Sequence, residues 1–290
     1  MPNLWQEKEV VYVIIWALFD SENSCYKQAV KKYFKDEIEI YAIGINREKN
    51  NLNEVLNLDL ADYSELFGEN QLFNALNQLP KPTVILASLP CESWSVASGM
   101  PKGNICWYTE TIETATKTYQ ADNHFTIRTR QQLEDHLKQH PKKAKYFKPH
   151  WWKIIYNRVN GELCAFNTQR IIERYKPQIW IIENPQSSRI WRYYKQIQNF
   201  QGIENIAHYH AYDENFLKKP TIFYSNIALD LKTSNERAKV VMNARKAEGR
   251  KIIRNYDERS NIPLLLIKDI LGQCLKKLNE HDSMSGEIET

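Results

Sequence analysis

The stretch from Thr83 to Ser95 constrains this chain more than any other. Thr83-Val84-Ile85-Leu86 is an apolar, β-branched run that ends in the small residues Ala87 and Ser88. Such a run reads as a buried parallel strand that delivers a loop. The loop is Leu89-Pro90-Cys91-Glu92-Ser93-Trp94-Ser95, with a thiol directly after a proline. Ligands in open α/β sheets sit at the carboxyl ends of strands, so Cys91 is placed to act as a nucleophile. Gln178-Ile179-Trp180-Ile181-Ile182-Glu183-Asn184-Pro185 repeats the pattern with a carboxylate at its end. One strand tip offers a thiol and another offers an acid.

The rest of the chain supplies strands and helices in alternation. Val10 to Phe19 reads as a first buried strand, and Ser24 to Phe34 as a helix capped by Ser21 or Ser24. Ile38 to Ile45 is a second strand and Glu54 to Leu58 a short third one. Gln71 to Leu79 is helical and stops at Pro80, before the cysteine strand. Leu163 to Tyr175 and Ser187 to Phe200 are further helices, on either side of the acid strand. Ile203 to Tyr212 and Thr221 to Asn226 are two more strands that could pair as a hairpin. This alternation predicts an α/β fold with a doubly wound, Rossmann-like parallel sheet.

Two segments interrupt the pattern. From about 100 to 152 the sequence is polar and aromatic, with Lys142, Lys143, Lys145 and Lys148 near its end. It follows the cysteine loop directly and is expected to fold over the active site or reach the substrate. Leu231 to Arg254 is polar and strongly basic, and Ile262 to Leu278 returns to a helical apolar pattern before a tail, His281 to Thr290, expected to fray. The expected organisation is therefore a catalytic domain over 1–226 with an insertion at about 100–152. A short basic region over 227–258 and a C-terminal helix over 259–290 complete it.

Bulk properties narrow the class without naming a function. With 290 residues, 42% of them hydrophobic and 26% charged, the chain has the composition of an ordinary globular protein. A balance of 39 basic against 35 acidic residues permits nucleic-acid binding but does not argue for it. The cysteines at 25, 91, 106, 164 and 274 form no CxxC pair, and an odd number suits reduced thiols. The apolar run Val10 to Phe19 is too short to span a bilayer, and acidic Glu7 and Glu9 flank it. A cytoplasmic protein that avoids membranes is expected.

The thiol and acid strands together resemble the DNA cytosine-5 methyltransferases, and most closely their compact, phage-type branch. Ser88-Leu89-Pro90-Cys91 with Ser95 matches that branch's Ser-Pro-Pro-Cys loop, and Glu183-Asn184-Pro185 its acid strand. Lys219-Pro220-Thr221 matches its Lys-Pro-Thr strand, and Arg259-Ser260-Asn261-Ile262-Pro263 its closing Arg-x-x-Ile-Pro. The four motifs fall in order, and the resemblance runs from about residue 10 to about 275, nearly the whole chain. The resemblance implies a methyltransferase fold with a small DNA-recognition appendage, S-adenosylmethionine as methyl donor, double-stranded DNA as partner and a prokaryotic or phage origin. A partner subunit is left open.

It also implies roles. Cys91 becomes the nucleophile and Glu183 the acid that faces the base. A lone cysteine is more often a small buried hydrophobe, but Pro90, Ser95 and the acid strand weigh against that here. The donor site is assigned to Phe19, Ser21, Asn23, Asn46, Asp59, Ser88 and Pro90. Ser21 and Asn23 stand where the family has glycines, and Asn46 stands where it has an acid for the ribose. Phe19 can stack on adenine or simply pack in the core, and Asp59 can meet the adenine amine or cap a helix. DNA contacts are assigned to Ser95, Lys218, Lys219, Arg245, Lys246 and Arg250, with solvated surface lysines and a charged helix as the plainer alternatives. No metal site is expected, since His136 and His140 lie at helical spacing without an acidic motif and read as a surface helix. The altered glycine positions keep a second class open, a catalytically impaired protein of this fold that binds DNA or a partner chain.

Overall fold

The computed structural model describes residues 13–20, 24–45, 55–98, 100, 102–113, 116, 118–141, 150–242, 249–253 and 260–285. Its centre is a seven-stranded sheet in the order β3-β2-β1-β4-β7-β9-β8. The strands are β1 (Val13–Leu18), β2 (Ile38–Gly44), β3 (Val55–Asn57), β4 (Val84–Ser88), β7 (Ile179–Pro185), β8 (Ile203–His208) and β9 (Pro220–Ser225). The first five named run parallel, while β9 lies antiparallel between β7 and β8. This is a mixed α/β architecture with a mostly parallel central sheet, compatible with a Rossmann-like fold, and the strand order reverses between β1 and β4.

The parallel strands are apolar without alternation because both faces of the sheet are covered. Trp16 and Leu18 pack with Ile85, Ala87, Trp180 and Ile182 on one face. Ile15 and Ala17 pack with Val84, Leu86, Ile179 and Ile181 on the other, against α1 (Cys25–Tyr33) and α5 (Leu264–Ser285). Each buried aliphatic side chain contributes about 1.5–3 kcal/mol, so these runs anchor the sheet. Ser24 caps α1 by accepting a hydrogen bond from Lys27 N at 3.1 Å. Between β3 and β4 lie a 3-10 turn (Ser64–Phe67) and α2 (Gln71–Leu76), whose Leu72, Phe73 and Leu76 join the first face.

The insertion is more ordered than its composition suggests. It holds an antiparallel ribbon, β5 (Trp107–Glu113) with β6 (Thr118–Ile127), followed by α3 (Arg130–Gln139). A reciprocal capping box between Thr129 and Gln132 starts α3. His136 on this helix is buried, not a surface residue as its spacing implied. The helix expected over 163–175 begins twelve residues earlier, as α4 (Trp151–Tyr175). Conversely, the single helix expected over 187–200 is a turn at Ile190–Arg192 followed by a π turn at Tyr193–Ile197. The strand from Ile203 stops at His208, where a 3-10 turn (Tyr209–Ala211) takes over. Among its described residues the basic region contributes a two-residue parallel pair, β10 (Val240–Val241) with β11 (Lys251–Ile252). α5 continues past Leu278 to Ser285. Among the described residues no helix is long and apolar enough to cross a membrane.

Candidate active site

The site is set by register. β4 pairs with β7 so that Ser88 lies opposite Glu183, and β4 pairs with β1 so that Ala87 lies opposite Leu18. The chain therefore leaves the sheet at Phe19, Leu89 and Pro185 along one edge, at the reversal of winding where α/β folds bind ligands. Phe19 turns with φ 61°, a left-handed value that bulky residues rarely adopt. Asp20 N then reaches back to Ile43 O at 3.1 Å. Gly44 makes that approach possible, because a Cβ there would stand 2.7 Å from the Asp20 carbonyl oxygen.

The cysteine loop is clamped from three sides. Cys91 O accepts hydrogen bonds from Trp94 N (3.1 Å) and Ser95 N (2.8 Å), which close a tight turn. The fully buried Asn104 donates to Ser93 O (2.7 Å) and Ser95 O (3.1 Å) and accepts from Cys106 N and Trp107 N, so its amide is saturated. Trp94 stacks on Trp107 with centroids 5.1 Å apart, and Asn184 donates to Leu89 O at 3.0 Å. From the third side α4 lies directly on the loop. A Cβ at Gly161 would meet Ser93 Oγ at 2.0 Å and Ser93 Cβ at 2.9 Å, so any larger residue would force Ser93 to shift. Cys91 itself is half-buried and forms no disulfide.

Glu183 is 7% exposed, yet it has a donor. Tyr209, itself 1% exposed, donates its hydroxyl hydrogen to Glu183 Oε1 at 3.2 Å. Across the register Tyr26 and Ser88 share a hydrogen bond of 2.9 Å. Both phenols are held protonated, pushed well above the usual tyrosine range by burial first and the Glu183 charge second. The ammonium group of Lys219 lies 4.7 Å over the Tyr209 ring.

Two cavities open at this edge, and they adjoin. The larger, of about 670 Å³, is lined at Asp59, Glu92, Ser93 and Lys153 among others, and the second, of about 580 Å³, at Cys91, Ser95, Glu183 and Lys219. Phe19, Asp20 and Pro90 belong to both walls. The structure thus brings together Cys91, Glu183, Ser95 and Lys219 in one cavity, and Phe19, Asp59 and Pro90 in the other. Ser88, expected on the donor side, lines the Cys91 cavity instead, because its hydroxyl points to Tyr26. Lys218 is half-buried and belongs to neither wall. Arg250 donates to Ala238 O at 3.3 Å, within its own segment. Ser21, Asn23, Asn46, Arg245 and Lys246, like the lysines at 142, 143, 145 and 148, lie outside the described residues.

Sequence reasoning missed Tyr26, Tyr209, Asn104 and the whole cavity-facing side of α4. Tertiary contact alone reveals the first three. A period-3.6 spacing of Lys153, Asn157, Asn160 and Gly161 was the one signal for the fourth. In comparisons with known proteins, no family profile and no curated protein matches this chain.

Proposed function

We propose that this chain is a DNA cytosine-5 methyltransferase, with the fold of the S-adenosylmethionine-dependent methyltransferases and a recognition region over 227–258. The observation that supports this best is the pair of adjoining cavities, one with a thiol and an acid, the other with Asp59 at its wall. Two reactants held in two cavities that meet at Phe19, Asp20 and Pro90 can exchange a small group without crossing solvent. The first cavity's volume and mixed walls fit a nucleoside: Phe19, Ile45, Leu58 and Leu60 are apolar, and Asp59 can accept from an exocyclic amine. S-adenosylmethionine, when bound, supplies an electrophilic methyl group.

The chain's own residues do the rest. A cytosine flipped from the duplex would enter the Cys91 cavity. Carbon 5 of the ring is a poor nucleophile. The Cys91 thiolate adds to carbon 6, the ring's electron pair moves toward carbon 5, and that carbon becomes reactive. Glu183 supplies a proton or hydrogen bond at ring nitrogen 3, which takes up the charge that addition pushes into the ring. Tyr209 holds the carboxyl group in place through the bond at Oε1. Once carbon 5 carries the methyl group it loses its proton to solvent, and Glu183 takes back any proton given to ring nitrogen 3. The freed pair restores the ring double bond, and the carbon–sulfur bond breaks to return the thiolate. Lys219 lines the same wall, and its ammonium group would meet a phosphate or the base's oxygen.

The test is transfer of labelled methyl from S-adenosylmethionine to unmethylated genomic DNA, followed by nucleoside analysis. Label in 5-methylcytosine supports the proposal. Label on an exocyclic nitrogen overturns it, and DNA binding with no transfer favours the impaired alternative.

A further inference from the structure

α4 turns a polar stripe toward the larger cavity. Lys153, Asn157 and Asn160 repeat at helical spacing on the face that lines it. Further along, the same face carries Cys164, Thr168 and Ile171, all buried. A helix face that is apolar where it meets the core and polar where it meets a cavity is built for a polar ligand.

The charges are arranged along that helix. Asp59 and Glu92 are both near Cys164, whose thiol is pushed up to about 12 by burial first and then by these two carboxylates. Lys153 stands eleven residues earlier, about 16 Å away along the helix axis at 1.5 Å per residue. Among the described residues of this cavity Lys153 is the single cation, and none of the ion pairs between described residues includes it. Asp20 belongs to the shared wall between the two cavities. The cavity is therefore acidic at the β3 end and at the junction, and basic at the far end.

We infer that Lys153, with Asn157 beside it, binds the carboxylate of the donor's amino-acid end, so that the cavity selects a nucleoside that carries a zwitterionic tail. This rests on the proposed donor role of the cavity. The match is one of order as well as sign. The nucleoside amine lies at Asp59, the sulfonium at Asp20 beside the second cavity, and the carboxylate at the opposite end from Asp59. Asn157, one turn from Lys153, can donate from its amide to the same carboxylate.

Calorimetry on the full chain tests this with two ligands. S-adenosylhomocysteine carries the amino-acid tail; 5′-methylthioadenosine has the same nucleoside and thioether without it. Lys153→Met keeps most of the side-chain stem and removes the charge. It should weaken S-adenosylhomocysteine by about tenfold or more, as expected for loss of a charged hydrogen bond. Affinity for 5′-methylthioadenosine should stay within about twofold of wild type, and Lys153→Arg should retain most of the affinity for the longer ligand. Equal weakening of both ligands, or of neither, overturns the Lys153 assignment while leaving the donor cavity in place. Wild-type protein that binds neither ligand overturns the donor role itself, and the assignment with it.

Discussion

The two cavities are walled by different means. Around Cys91 and Glu183 the wall is made of side chains whose identities are fixed by buried hydrogen bonds: Tyr209 to Glu183, Tyr26 to Ser88, Asn184 to Leu89 and Asn104 to the cysteine loop. Each buried bond of this kind costs about 1–3 kcal/mol when one partner is removed, so substitution is punished. Around Asp59 the wall is shaped more by backbone: the close approach at Gly44 and the glycine of α4, with the left-handed turn at Phe19 on the part shared by both cavities. Asp59 itself is exposed, and its carboxylate accepts from Ala61 N at 2.9 Å within its own turn. A pocket shaped by backbone tolerates exchange of side chains.

If the two walls work in these ways, substitutions in the Cys91 cavity act on turnover and those in the Asp59 cavity on donor affinity. The largest effect belongs to Cys91→Ala, which should abolish methyl transfer to DNA while the melting temperature stays close to wild type. Transfer near the wild-type rate in that variant breaks the nucleophile assignment. Glu183→Gln retains shape and loses the proton, and kcat should fall by roughly two to four orders of magnitude. A loss under about tenfold, far below that range, assigns the residue a structural role. Asp59→Ala should raise the KM for S-adenosylmethionine by about tenfold, the worth of one charged hydrogen bond, with kcat nearly unchanged. A fall in kcat without a rise in KM erases the contrast between the cavities. The smallest effect is expected from Tyr209→Phe, which removes one donor at 3.2 Å from Glu183 and should lower kcat about three- to tenfold. Tyr209→Phe protein with wild-type kcat removes the tyrosine from the account of the acid.

What could be read from residues alone follows the same division. The strands that build the cavity-bearing edge were legible because parallel strands covered on both faces are continuous apolar runs, as in Ile15–Leu18 and Ile179–Ile182. The Ser24 cap was legible because Ser is a strong N-cap and the bond it makes is local. The first half of α4 was not, since its cavity face carries Lys153, Asn157, Asn160 and Gly161 where a core helix would show apolar residues. Its outer face carries exposed Trp152, Tyr156 and Val159, so hydrophobicity there marks no core. The extended helix over 187–200 failed for a related reason: Tyr193 and Tyr194 are both buried, and widening to a π turn lets two consecutive aromatics face inward. Tyr209 and Asn104 reach their partners across 26 and 11 residues, a distance at which no local pattern signals the contact.

The central claim is that Cys91, Glu183 and the donor cavity act on one cytosine. Duplex DNA with 5-fluorocytosine at the methylated position tests all three together. Thiol addition and methyl transfer can proceed on that base, but the final step must remove a proton from carbon 5, and fluorine cannot leave as a cation. The account predicts a denaturant-stable protein–DNA adduct through Cys91. It should form only with S-adenosylmethionine, be absent in Cys91→Ala and be weak in Glu183→Gln. If the protein methylates ordinary DNA at carbon 5 and yet leaves no adduct on the fluorinated duplex of the same sequence, the covalent mechanism is contradicted.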